Sequence, residues 1–109
     1  MTRPQLTRKL LVEAPQRVSD GAGGFSETFV PLGEIWAEVK TRGAGREGDT
    51  ASRLQLTITV RAAPQGAPSR PGVGMRFRDG ARVYDIEAVT ESDPSGRYLT
   101  CFAVEEVGA

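Results

Sequence analysis

The clearest ordering of side chains lies between Arg53 and Arg61, where Leu54, Leu56, Ile58 and Val60 alternate with Arg53, Gln55, Thr57, Thr59 and Arg61. A period of two places the apolar set on one side of an extended chain, so this segment reads as a half-buried β-strand. Ile35, Ala37 and Val39 alternate with Trp36, Glu38 and Lys40 in the same way, which leaves Trp36 on the nominally polar side. An outward Trp implies a contact made elsewhere, whereas a bulge or twist would turn it into the core; the pattern leaves both open. Leu10, Val12 and Ala14 share one face of residues 9–18, and a further strand pattern covers residues 25–30. Between them Ser19-Asp20-Gly21-Ala22-Gly23-Gly24 supplies positive-φ turn positions, predicting a hairpin with a flexible tip.

A second hairpin is predicted from residues 75–78 through Asp79-Gly80 to residues 81–89, with Asp-Gly favouring a type I′ turn. Glu91-Ser92-Asp93-Pro94-Ser95-Gly96 then breaks the pattern, and residues 97–104 form a last strand. The total is about seven strands. Residues 43–52 and 62–74, the latter with three prolines, lack periodicity and read as two long loops. Helical spacing is nowhere sustained for two turns, although residues 2–11 have room for a short helical turn. The expected fold is all-β, a small antiparallel barrel or sandwich of about seven strands with two long loops, within one domain spanning residues 1–109.

Composition narrows the chemistry. Lysine plus arginine and aspartate plus glutamate each number 14 among 109 residues, so the whole-chain charge gives no reason for tight, non-specific binding to nucleic acid or an anionic membrane. Twelve of the cations are arginine, a bias that a high-GC genome explains more simply than phosphate or carboxylate recognition. Histidine is absent, which removes the commonest general base and metal ligand. The single cysteine, Cys101, lies in the apolar run Tyr98-Leu99-Thr100-Cys101-Phe102 and reads as a small buried hydrophobe, excluding a disulfide framework or cysteine metal site.

Carboxylate pairs such as Glu105-Glu106, or Asp85 with Glu87, read as solvated surface rather than catalytic groups. The tract from Asp20 to Gly24 lacks the Lys-Ser/Thr of a phosphate loop and precedes a strand, not a helix. Met75 and Phe77 alternating with Arg76 and Arg78 predict an inward apolar face and an outward basic one, rather than a platform for single-stranded nucleic acid. No enzyme site, metal or cofactor is expected. No apolar run reaches the length of a signal-peptide core or a membrane span, so the expectation is a soluble chain made in the cytoplasm.

Read in order, Leu6-Thr7-Arg8, Asp20-Gly21-Ala22-Gly23-Gly24-Phe25, Ile35-Trp36-Ala37-Glu38-Val39, Arg53 leading to Val60-Arg61, Met75-Arg76-Phe77 and Arg82-Val83-Tyr84-Asp85-Ile86 form a series. In that order they resemble the phage head-tail adaptor family, which includes head-closure and stopper proteins of tailed phages, prophages and gene transfer agents. The resemblance implies a β-barrel virion protein, assembled in the bacterial cytoplasm, that forms a homo-oligomeric ring, hexameric or dodecameric, at the head-tail interface. Its implied neighbours are a portal or adaptor protein above and a tail terminator or tail tube below, with packaged double-stranded DNA in the channel.

By the same resemblance the segment with Arg42, Arg46, Glu47, Asp49 and Arg53 faces that channel, its mixed signs suited to obstructing a duplex and later releasing it. Trp36, Pro64, Pro68, Arg70 and Pro71 are candidates for protein docking, since proline lowers the entropy lost when a segment is fixed. Two rival readings remain. One is a tail terminator or other small tail-ring protein, and the other is a stand-alone barrel that binds nucleic acid or peptide.

Overall fold

Alternating apolar residues from six strands point into one interior. The computed structural model describes residues 3–47, 51–63, 67, 70–91 and 94–108. Its strands are β1 (Arg8–Ser19), β2 (Phe25–Glu47), β3 (Ala51–Arg61), β4 (Arg76–Asp79), β5 (Arg82–Thr90) and β6 (Tyr98–Gly108). All pairings are antiparallel, and the order β1-β2-β3-β6-β5-β4 closes on itself as a barrel. Of the two expected architectures, barrel or sandwich, the barrel is present. Leu10 and Val12 of β1, Leu56, Ile58 and Val60 of β3, Phe77 of β4, Tyr84 and Ile86 of β5, and Leu99 and Cys101 of β6 fill it. Each large apolar side chain so buried contributes roughly 1.5–3 kcal/mol.

Six strands replace the expected seven because residues 25–30 and 35–39 belong to one 23-residue strand, β2. Pro31-Leu32-Gly33 looks like a break in sequence but acts as a bulge: Pro31 opposes Glu13, Gly33 opposes Val12, and Leu32 is the extra residue. Pro31 has no N–H to offer a ladder, and Gly33 adopts a φ of 139° that a side chain disfavours, so the strand bends here without ending. Further bulges insert Arg42 between Thr41 and Gly43, and Glu87 between Ile86 and Ala88.

Residues 43–52, expected as a loop, are largely strand. Gly43 pairs with Gln55, Ala44 with Leu54, Gly45 with Arg53, Arg46 with Ser52 and Glu47 with Ala51, extending the β2–β3 hairpin well past the periodic sequence. Backbone hydrogen bonding needs no apolar alternation, so pattern reading missed it. The stretch 62–74 carries no strand among its described residues. The helical turn considered for residues 2–11 is absent from residues 3–11: the Gln5 amide is instead taken by Oε2 of Glu38 at 2.8 Å, and β1 begins at Arg8.

Turn chemistry also departs from expectation. Asp79 pairs with Arg82, leaving Gly80-Ala81 as the two-residue loop, and Gly80 alone has positive φ, 61°. That is the type II′ pattern, with glycine at the first central position, one residue out of step with an Asp-Gly type I′ turn. Hydrogen bonds brace the tip of the first hairpin. Asp20 Oδ1 accepts from the amides of Ala22 and Gly24 at 2.8 and 3.0 Å, while the Asp20 amide donates to the Gly24 carbonyl at 3.1 Å.

β4 covers β1 only from Leu11 to Glu13. Beyond that point β1 and β2 have each other alone, and the ribbon of residues 14–19 and 25–30 projects from the barrel as a two-stranded arm. The arm gives the molecule its length, with extents of 54 × 38 × 22 Å and a radius of gyration of 15.1 Å, above the roughly 13 Å of a compact chain of about 100 residues.

Candidate functional site

The arm has two faces, because residues paired across an antiparallel ladder lie on the same side. One carries Pro15 with Phe29, Arg17 with Glu27, and Ser19 with Phe25. On it the Arg17 guanidinium covers the Phe25 ring at 4.6 Å, and Arg76, reaching from β4, covers Phe29 at 3.8 Å. Phe25 stays 62% exposed despite this contact, and Val18 and Leu32 also face outward.

At the root of the arm, Glu13 is buried between two arginines. Its Oε1 accepts from Arg76 Nε at 2.7 Å, and Arg78 Nε lies 3.3 and 3.2 Å from its two oxygens. Burial by itself pushes a carboxyl up, but the hydrogen bonds from Arg76 and Arg78 outweigh it and hold Glu13 below its usual value. Arg76 therefore ties β1 and β2 of the arm to β4 of the barrel.

Glu105 of β6 is a second buried carboxylate. Glu105 accepts two hydrogen bonds from Arg82, at 2.8 Å from Nε and 2.7 Å from Nη2, and this fork raises the Arg82 guanidinium further. Arg8 pairs with Asp79 beside it. Tyr84 lies beneath, fully buried; burial pushes its phenol up, and its hydroxyl makes no hydrogen bond among the described residues. Sequence reasoning missed Glu13 and placed Glu105 at the surface. Glu13 has the outward parity of β1, whereas Glu105 continues the inward series Leu99, Cys101 and Ala103 of β6, a parity that could have flagged it; arginines brought from other strands by the closing of the barrel pair with both.

Trp36 does point outward, on the polar side of β2, and is 52% exposed. With Leu6, Thr7, Glu34, Ile35 and Arg61 it lines an open groove, and Lys9 stands over its ring at 5.8 Å. Of the other proposed docking residues, Arg70 is partly buried, donating to the Ala63 carbonyl at 2.8 Å and pairing with Glu91 at 3.7 Å. Pro71 is buried within this chain, and Pro64 and Pro68 lie outside the described residues.

The candidate channel residues spread along the β2–β3 hairpin. Bulged Arg42 stacks over Phe102 of β6 at 5.0 Å, and Arg53 pairs with Glu87 of β5 at 3.2 Å. Arg46 and Glu47 are the last paired positions of β2, whereas Asp49 is outside the described residues. The structure thus separates Arg42 and Arg53, each with a partner on another strand, from the hairpin end.

Cys101 is buried in the core, and burial pushes its thiol up to about 12, far from the range of a nucleophile at neutral pH. Among the described residues no group of three or more His, Cys, Asp or Glu is placed to hold a metal. No helix is long and apolar enough to cross a membrane.

Among the described residues both buried carboxylates, Glu13 and Glu105, are paired with arginine, and Phe25 and Trp36 stay exposed. Among known families the match is to the phage head completion proteins, whose family model covers residues 1–106. The chain belongs to that family, and its role is structural, a part of a phage-type particle and not an enzyme. A chain from the solved structure titled "Virion of native gene transfer agent (GTA) particle" is 49% identical to it. The alignment covers 98% of this chain and 100% of that one, with a TM-score of 0.89. No curated protein matches.

Proposed function

We propose that this protein forms the ring that closes the filled head, set between the portal or adaptor complex and the tail, retaining packaged DNA and giving the tail its seat. One observation carries the reading: the end-to-end similarity, at 49% identity, to a chain of a gene transfer agent virion. The architecture supports it. A closed barrel is stiff, the arm projects from it, and the extended β2–β3 hairpin, backed by β6 as far as Ala51, carries the sheet on beyond the core as a second segment that reaches neighbours.

In this reading the hairpin of residues 42–53 faces the channel. Arg42 and Arg53 are held by Phe102 and Glu87, so the base of the hairpin is fixed while its end meets DNA or the adjacent subunit. The segment carries Arg46, Glu47 and Asp49 as well, and mixed charge favours a contact that salt weakens and DNA passage releases.

Electron microscopy of particles lacking this protein tests the role. The expected result is separated heads and tails, with heads that leak DNA. Intact tailed particles with full heads overturn it. Heads that stay full but carry tails of uncontrolled length would instead point to a tail terminator. Deleting residues 44–52 tests the hairpin separately: full heads with normally attached tails remove it from the channel.

A further inference from the structure

The end of the arm and the Trp36 groove are two exposed apolar features of one chain, and they cannot meet within it. Lys9 pairs with Trp36 and Ser19 with Phe25 along the same β1–β2 ladder, so Phe25 lies 11 residues up β2 from Trp36, at most about 36 Å away along a continuous strand. We propose that the arm of one subunit lies in the Trp36 groove of the next copy of this chain, with Phe25 as its anchor. The proposal rests on the ring reading above, and it names the contact that builds the ring.

Three observations favour a second copy as the occupant. Charge is complementary: residues 14–30 of the arm carry Arg17 against Asp20 and Glu27, whereas in the groove Lys9 pairs with Glu34 at 3.4 Å and Arg61 is left as the charge in excess. A net acidic arm also argues against DNA as the partner. The anchor is preorganised, because Arg17 holds Phe25 and the Asp20 turn fixes the chain just before it, so little entropy is lost on docking. Finally, the two patches differ and stand far apart on the chain. Such a heterologous contact repeats from copy to copy and closes into a ring when the rotation allows.

The test uses particles assembled with the full chain carrying Ala22→Cys at the arm tip and Thr7→Cys at the groove, both exposed positions, with the native Cys101 buried. After mild oxidation, non-reducing electrophoresis is expected to show a ladder of this chain beyond the dimer, and each single-cysteine variant is expected to give none. Phe25→Ala in the double-cysteine background is expected to reduce the ladder at least tenfold, while its thermal midpoint in isolation stays within a few degrees of the parent. A ladder that survives Phe25→Ala removes the anchor role. Particles that contain the protein at the head-tail junction, yet give no ladder or link it to a different virion protein, overturn the contact and leave the head-closure reading standing. Tailed particles assembled without the protein overturn the head-closure reading itself.

Discussion

Arg76 donates from Nε to Oε1 of Glu13 at 2.7 Å, while its guanidinium plane lies against the ring of Phe29. This pairing decides how the arm leaves the barrel. β4 ends its cover of β1 at Glu13, so the last cross-strand contact before the free ribbon is an ion pair rather than apolar packing.

Glu13→Gln is expected to destabilise the fold by about 1.5–3 kcal/mol, the range for hydrogen bonds to charged groups, because Arg76 and Arg78 lose their shared acceptor charge. The effect depends on pH. A carboxyl held below its ordinary value of 4.5 contributes fully above that value, and the contribution is lost as pH falls through the lower folded value. Urea titrations at pH 7 and pH 3 should therefore show a large gap between parent and variant at neutral pH and a smaller one in acid.

Tyr84→Phe should change stability by no more than about 1 kcal/mol, since it keeps the ring that fills the core and removes a buried hydroxyl that makes no hydrogen bond among the described residues. Denaturant midpoints of the two proteins check this. A loss above about 1 kcal/mol means that the hydroxyl has a partner in solution, with the Arg8 guanidinium the expected one.

The Cys101 thiol, buried and pushed up to about 12, should resist iodoacetamide at pH 8 in the native protein and react at once in 6 M guanidinium (roughly, a fully denaturing concentration). Mass spectrometry of the alkylated chain reads the outcome. Appreciable native labelling within minutes would mean that the β3–β6 seam opens readily.

Asp20→Ala should loosen the arm tip by about 1 kcal/mol, as two amides lose their shared carboxylate acceptor. Gly24→Ala should act at the same place, because its Cβ would fall 2.7 Å from Asp20 Oδ2. Hydrogen exchange is the measure: faster exchange is expected in residues 18–26, with the barrel strands unaffected.

Much of this protein is legible in its sequence. Leu54 to Val60 and Ile35 to Val39 alternate because each strand has one wet face and one dry face, and those faces are the ones observed. Parity put Trp36 on the polar side but left open a bulge that would turn it inward, and the structure places it outward, while the context of Cys101 already put it in the core. Absence is legible too, since a chain without histidine and with one buried thiol has little with which to build a reactive centre.

What tertiary structure decided are the features that depend on neighbours distant in sequence. Pro31-Leu32-Gly33 spells a break, yet pairing with Val12 and Glu13 carries β2 through it. Residues 43–47 show no alternation, and backbone hydrogen bonds to β3 make them strand. Glu13 and Glu105 look like surface carboxylates until ring closure sets Arg76 and Arg78 over one and Arg82 over the other. Sequence pattern records which side of a strand is dry. It does not record which strand lies alongside, and in a closed barrel that choice determines where a bulge replaces a turn and which charges are buried together.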